Sequence, residues 1–370
     1  MVYNLHMKIL IAPFIRSTKN DAAYYISNRL SSFFSERQHA VAVSTPLRSS
    51  VPSAALYEAA EPKRPRFFRN DYYSYEEWLY SFGALAKDYL HEDTEFILDA
   101  IDEFEPDAVI CIDRPAAVIA SRVRKIPCLP IINTAMYRNA SLSIKIMQGI
   151  NQVLSEYDLE QVFRIHTLYD SCTSRLIFGP LELQPLPPEV NVKRFGTLTH
   201  QQSLPEKSDG VYICFHELNK KPAAVRKMIL EAFSGARYPV YCSVSGLPAE
   251  KVQNIHFITD LKEDILRQSG VCIHDGNDYI CDICAANAIP QLIVTDHRYG
   301  RTANALAARR YGFGIMEDEA HLSVAALYEN YRRLVVDQRF REAALAMREE
   351  IISLGDSDDL YRLILSLCRK

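Results

Sequence analysis

Apolar residues along the chain fall into two kinds of run that alternate. Short continuous blocks such as KILIAPF (8–14), AVAVST (40–45), DAVICID (107–113) and CLPII (128–132) lack polar alternation, the pattern of strands covered on both faces. Between them, NDAAYYISNRLSSFFSERQ (20–38), EEWLYSFGALAKDYLHEDTEFILDAIDEF (76–104) and AAVIASRVRKI (116–126) place apolar residues at helical spacing. The second half repeats the plan: VYICF, VYCSV, IHFI, VCIH and QLIV read as strands, with helices between most of them. Strand–helix–strand order with short connections predicts parallel sheets. The fold class expected is α/β: two doubly wound Rossmann-like domains facing across a cleft, with C-terminal helices. The breaker-rich stretch GTLTHQQSLPEKSDG (196–210) divides them. The expected organisation is a first domain at 1–196, a linker at 197–210, a second domain at 211–345 and a helical segment at 346–370.

Composition narrows the function classes. Apolar residues make up 48% and charged residues 24% of the 370, with a formal charge of -4. Such a balance argues against a dedicated nucleic-acid binder, which is normally basic. No run approaches the ~18 apolar residues of a membrane span. The nine cysteines are odd in number and several sit inside strand-like runs, so they are expected as reduced thiols in a cytoplasmic protein. Lys63, Arg64, Arg66 and Arg69, set among aromatics and the single Trp78, suggest the border of an acceptor pocket, a peripheral membrane contact, or a surface loop.

Ligands of open parallel sheets bind beyond the carboxyl ends of the strands. That directs attention to His216–Glu217, Thr259–Asp260 and His274–Asp278. In the last of these, CIHDGNDYICDIC, a strand meets a polar turn and then a helix. A helix N-terminus presents free N–H groups and a positive dipole end, which suits a departing diphosphate without a metal ion. Gly276 would let the backbone approach the phosphates, His274 could donate to a phosphate oxygen, and Asn277 could cap the helix. Asp275, Asp278 and Asp282 would repel phosphate unless turned away. Cys281-Asp282-Ile283-Cys284 lacks the second Cys-x-x-Cys pair of a zinc ribbon, and its thiols are expected to pack beneath the turn.

The order of segments resembles the two-Rossmann GT-B glycosyltransferases, closest to the macrolide-type and plant-type enzymes that use UDP- or TDP-sugars. The resemblance is carried by His274-Asp275-Gly276 where that family has His-Gly-Gly, by Ala288-Ile289-Pro290 before QLIV, and by Asn304-Ala305. EPDAVICIDRPAAVIASRVRKIPCLPI (105–131) is similar to the strand–helix–strand that ends the family's first sheet, and VYICFHEL stands where its Ser-Phe-Gly-Ser strand end lies. It implies an inverting transferase with a nucleotide-sugar donor, a small-molecule or lipid-linked acceptor, and no cofactor or metal. His216, Leu261, His274, Gly276, Asn277 and Asn304 would hold the donor.

Departures from the family pattern shape the remaining expectations. The family's loop histidine base is replaced by Lys19 with Asp21 nearby, so Asp21 is the expected base, unless it is a plain N-cap. Asp113, at the end of VICID, is expected as an orienting carboxylate or as a helix cap before Pro115. The aromatic residue that stacks on the nucleotide base falls near Asp260, and the sugar-gripping Asp-Gln falls near Gly300-Arg301. Two other readings share the architecture: a non-hydrolysing UDP-N-acetylglucosamine 2-epimerase, and an inactive homologue that serves as a protein partner.

Overall fold

The computed structural model describes residues 6–15, 22–46, 54–64, 72, 74–137, 144–198, 204, 209–296, 298, 300–355 and 357–368. The chain forms two compact units: Met1–Phe178 with Gln184–Leu198 and Ser357–Lys370, and Gly179–Leu183 with Thr199–Asp356. Most of the expected linker lies outside the described residues. Among the described residues no helix is long and apolar enough to cross a membrane.

In the first unit the strands are β1 (Lys8–Pro13), β2 (Ala40–Ser44), β3 (Ala55–Tyr57), β4 (Ala108–Ile112), β5 (Cys128–Ile131), β6 (Leu176–Phe178) and β7 (Lys193–Phe195). They form one sheet in the order β3-β2-β1-β4-β5-β6-β7, parallel throughout. The order reverses between β1 and β4, where the Phe14 N–H donates to the Ile112 carbonyl at 2.8 Å. β1 and β4 are buried on both faces, which accounts for their continuous apolar runs.

The long helix expected over 76–104 is two helices, Tyr75–Ser81 and Lys87–Phe104. The break is at Gly83, whose φ is +79° and whose missing Cβ would stand 2.1 Å from the Lys63 carbonyl oxygen. Only glycine permits that approach of two backbone segments. The last helix, Ser357–Cys368, belongs to this unit, with Leu360 and Ile364 fully buried in the cluster that holds Ile9, Phe34 and Val43.

The second unit's strands are β8 (Val211–Phe215), β9 (Val240–Val244), β10 (Glu250–Val252), β11 (Ile255–Ile258), β12 (Val271–His274), β13 (Gln291–Thr295) and β14 (Gly314–Asp318). Their order is β10-β11-β9-β8-β12-β13-β14, with only β10 antiparallel. Order reverses between β8 and β12. The core runs through Ile213, Ile229, Val240, Ile273, Leu292 and Leu327, each fully buried.

Candidate functional site

The switch point of the second sheet puts the carboxyl ends of β8 and β12 side by side, and a crevice at such a point is where ligands of this sheet type bind. β12 ends in His274, which is fully buried. The Gly276 N–H donates to its Nδ1 at 3.1 Å, and its Nε2 lies 2.8 Å from Gln291 Oε1. An amide N–H only donates, so Nδ1 is unprotonated and Nε2 carries the proton to Gln291. Burial holds the imidazole pKa down to about 4, so the ring is neutral near pH 7. Both ring nitrogens thus have protein partners, and the donation to phosphate expected of His274 has no free N–H in this arrangement.

The turn that follows is built as its residue types predict. Gly276 has φ +81°, and a Cβ there would stand 3.1 Å from the Arg301 Cα. Asn277 is the N-cap of the helix Asp278–Ala286, accepting from Tyr279 N at 3.0 Å and Ile280 N at 3.4 Å. Asn304 is brought to the same place by the helix Arg301–Arg310, where its Nδ2 donates to the Gly276 carbonyl at 2.9 Å and also to Asp278 Oδ1. His274, Gly276, Asn277 and Asn304 therefore gather at one strand–turn–helix. Leu261, half-buried between β11 and the helix Glu263–Gln268, lies beyond a strand two positions from β8 in the sheet.

Asp275 spans the switch point. Its Oδ2 accepts from the His216 and Glu217 backbone N–H groups, both at 2.8 Å, and Arg301 Nη2 stands 3.7 Å away. Its Oδ1 is buried without a hydrogen-bond partner. The carboxylate is thus turned into the sheet end rather than away from it, and it occupies the amides at the end of β8. His216 itself is mostly buried, with Nε2 3.0 Å from Ser243 Oγ, and burial lowers its pKa. Two arginines stand at this strand end: Arg301, which the sequence reading had only as the position of the sugar-gripping pair, and Arg298, which it passed over. Arg301 Nη2 donates to Glu217 Oε2 at 2.6 Å, and Arg298 pairs with Asp296 and donates to the Glu217 carbonyl. The only sequence signal for them was the run HRYGRTAN, where Arg301 falls at the expected sugar-gripping position.

At the first sheet's switch point, Asp113 follows β4 with φ +56°, in the left-handed region that non-glycine residues rarely adopt. Asp21 lies outside the described residues. The N-cap of the helix Pro115–Arg124 is Arg114, not Asp113, and it makes no side-chain cap bond. The Arg114 guanidinium is instead fully buried. Its Nε and Nη2 grip both oxygens of Asp93 at 2.8 and 2.6 Å, and its Nη1 donates to Ser44 O at 2.7 Å and Ser44 Oγ at 3.0 Å. This pair ties the carboxyl ends of β2 and β4 to the helix Lys87–Phe104. Nearby, Trp78 packs edge-on to Phe14 at 5.7 Å and stacks on Tyr75 at 5.7 Å, giving the rim of β1 an aromatic wall. Of the basic cluster, Lys63 and Arg64 are described, and the Arg64 guanidinium sits 4.6 Å over the Phe82 ring; Arg66 and Arg69 lie outside the described residues.

No family model matches the sequence, and no curated protein does. Solved structures do match over the full length. The chain is similar to the spinosyn forosaminyltransferase SpnP (14% identity, TM-score 0.72), with 99% of this chain and 100% of that chain covered. It is similar to the calicheamicin glycosyltransferase CalG4 (15%, TM-score 0.73, 99% of each chain). It is also similar to the glycosyltransferase VinC in complex with dTDP (15%, TM-score 0.71, 98% and 100%). At such identities the likeness shows the fold: this chain has the two-Rossmann GT-B architecture.

Proposed function

We propose that this protein is a glycosyltransferase that moves a sugar from a UDP- or TDP-sugar to a small-molecule acceptor. The observation that carries this reading is the correspondence with sugar transferases over 98–99% of the chain, among them VinC with dTDP bound. A rhamnosyltransferase of the same fold has been solved with thymidine diphosphate and with spinosyn aglycone, which supports a nucleotide donor and a small acceptor. The donor diphosphate would sit at the Gly276 turn, beside the N-terminus of the helix Asp278–Ala286 and the Arg301 guanidinium. Transfer would be a single inverting displacement. A carboxylate, Asp21 or Asp113, would take the acceptor proton while the diphosphate leaves toward the helix end, with no divalent ion at the phosphates.

Calorimetric titration with UDP, TDP and GDP tests the proposal: one of them binds to the unmodified chain, and binding of none refutes it. A second reading, an inactive homologue that serves as a protein partner, is favoured by the amides already taken at the site. Asp275 holds His216 N and Glu217 N, and Asn277 holds Tyr279 N and Ile280 N. The variant Asp275→Gly gives the His-Gly-Gly of the resembling family. Binding by that variant, with none by the parent, would support the second reading.

A further inference from the structure

Beneath the Gly276 turn lies a side-chain cluster that the proposed sugar transfer does not use. Cys272 and His274 leave β12 on the same face, because residues two apart on a strand share a face. Cys284 reaches them from the helix Asp278–Ala286. The potential ligand atoms of these three residues all lie within 4.8 Å of one another, and all three residues are buried. Cys214, the register partner of His274 across β8 and β12, is fully buried too, but its Sγ falls outside that group and lies 3.5 Å from His216 Nε2. A Cys-x-x-Cys pair alone is no zinc ribbon. Of that pair only Cys284 joins the cluster, and its companions are the Cys-x-His of the preceding strand.

We infer that Cys272, His274 and Cys284 form a structural zinc site. Four arguments support the assignment. Thiolates and imidazole are the ligand set that structural zinc takes. Two thiolates and a neutral imidazole bring a divalent cation to zero net charge, which a dry core requires. Gln291 accepts the Nε2 proton at 2.8 Å, the outer hydrogen bond that fixes a ligating histidine's tautomer and leaves the Nδ1 lone pair for the metal. Finally, the site is enclosed, as structural zinc sites are. Coordination at Nδ1 would release the Gly276 N–H from that nitrogen, so zinc at the cluster and an anion at the turn favour each other.

The test uses the full chain, reduced and stripped of metal with a chelator, then titrated with Co2+ as a spectroscopic stand-in for zinc. One Co2+ per chain is expected, with a thiolate-to-cobalt charge-transfer band in the near ultraviolet and tetrahedral d–d absorption. Cys284→Ser should lose the band and weaken zinc binding at least 100-fold, whereas Cys172→Ser, in the first unit, should change neither. Retention of the band by both Cys272→Ser and Cys284→Ser overturns the assignment. Should those variants fail to fold, competition of the unsubstituted protein with a chromophoric chelator decides. Zinc uptake tighter than about micromolar supports the site, and no uptake overturns it.

Discussion

Replacing Arg114 with methionine removes a buried cation while leaving its partner in place. Asp93 is fully buried and keeps only Ala60 N at 3.1 Å and Tyr89 Oη at 3.2 Å as donors once the guanidinium has gone. Four hydrogen bonds disappear together, two of them to a carboxylate. Breaking a buried ion pair from one side costs about 3–5 kcal/mol. With a urea m-value of roughly 2–3 kcal/mol/M for a unit of this size, the unfolding midpoint should fall by about 1–2 M. The assay is favourable because Trp78 is the only tryptophan and belongs to the first unit, so its fluorescence follows that unit alone. The double variant Asp93→Leu with Arg114→Met, which removes both charges, should recover at least half of the loss. A midpoint for Arg114→Met within about 0.3 M of the parent, or a double variant as unstable as the two single losses summed, would refute the reasoning.

Three further outcomes are expected. His274 has a folded pKa lowered to about 4 against 6.5 for an unhindered ring, so its contribution to stability is complete above pH 6.5 and is lost as pH falls toward 4, by up to about 3 kcal/mol; in pH-dependent unfolding of the metal-free proteins the parent should have a steeper slope over that range than His274→Gln, which keeps the smaller slope of His216 and the other buried histidines. Gly276→Val forces a β-branched residue to φ +81° against the Arg301 backbone, and nucleotide affinity by calorimetry should fall at least tenfold while circular dichroism is preserved. Of Asp21→Asn and Asp113→Asn, the one that removes the base should lower kcat by ~10²–10⁴ with little change in Tm; near-normal turnover in both would move the base elsewhere.

The central strands were legible because a strand buried on both faces must be apolar at every position, as VICI in β4 and VYICF in β8 are. The edge strands escaped notice because they are short and partly exposed: β3 carries an exposed Leu56 (41%), and β10 is Glu250, Lys251 and Val252. Gly83 broke a helix whose apolar spacing continued through it, since the cause, the Lys63 carbonyl, approaches from a separate part of the chain. At the site, the turn chemistry of Gly276 and Asn277 is local and could be read from five residues. The seat of Asp275 could not, because its partners His216 and Glu217 lie 58 to 59 positions earlier. Arg114 was passed over for Asp113 for the same reason: charged residues at strand ends are usually solvated, and only the tertiary placement of Asp93 makes a fully buried arginine tolerable.

The return of the helix Ser357–Cys368 to the first unit governs the order in which the chain can fold during synthesis. The chain leaves the first unit after Phe178, returns at Gln184, leaves again after Leu198 and comes back only at Ser357. Domains made on the ribosome generally fold as they emerge, the earlier one first. Here the earlier one must wait: the seats of Leu360 and Ile364 against Ile9, Phe34 and Val43 stay uncovered until the second unit has been translated in full. A ribosome stalled anywhere between residues 199 and 356 would therefore hold a first unit with an open apolar flank, a ready substrate for a chaperone that binds exposed aliphatic and aromatic surface.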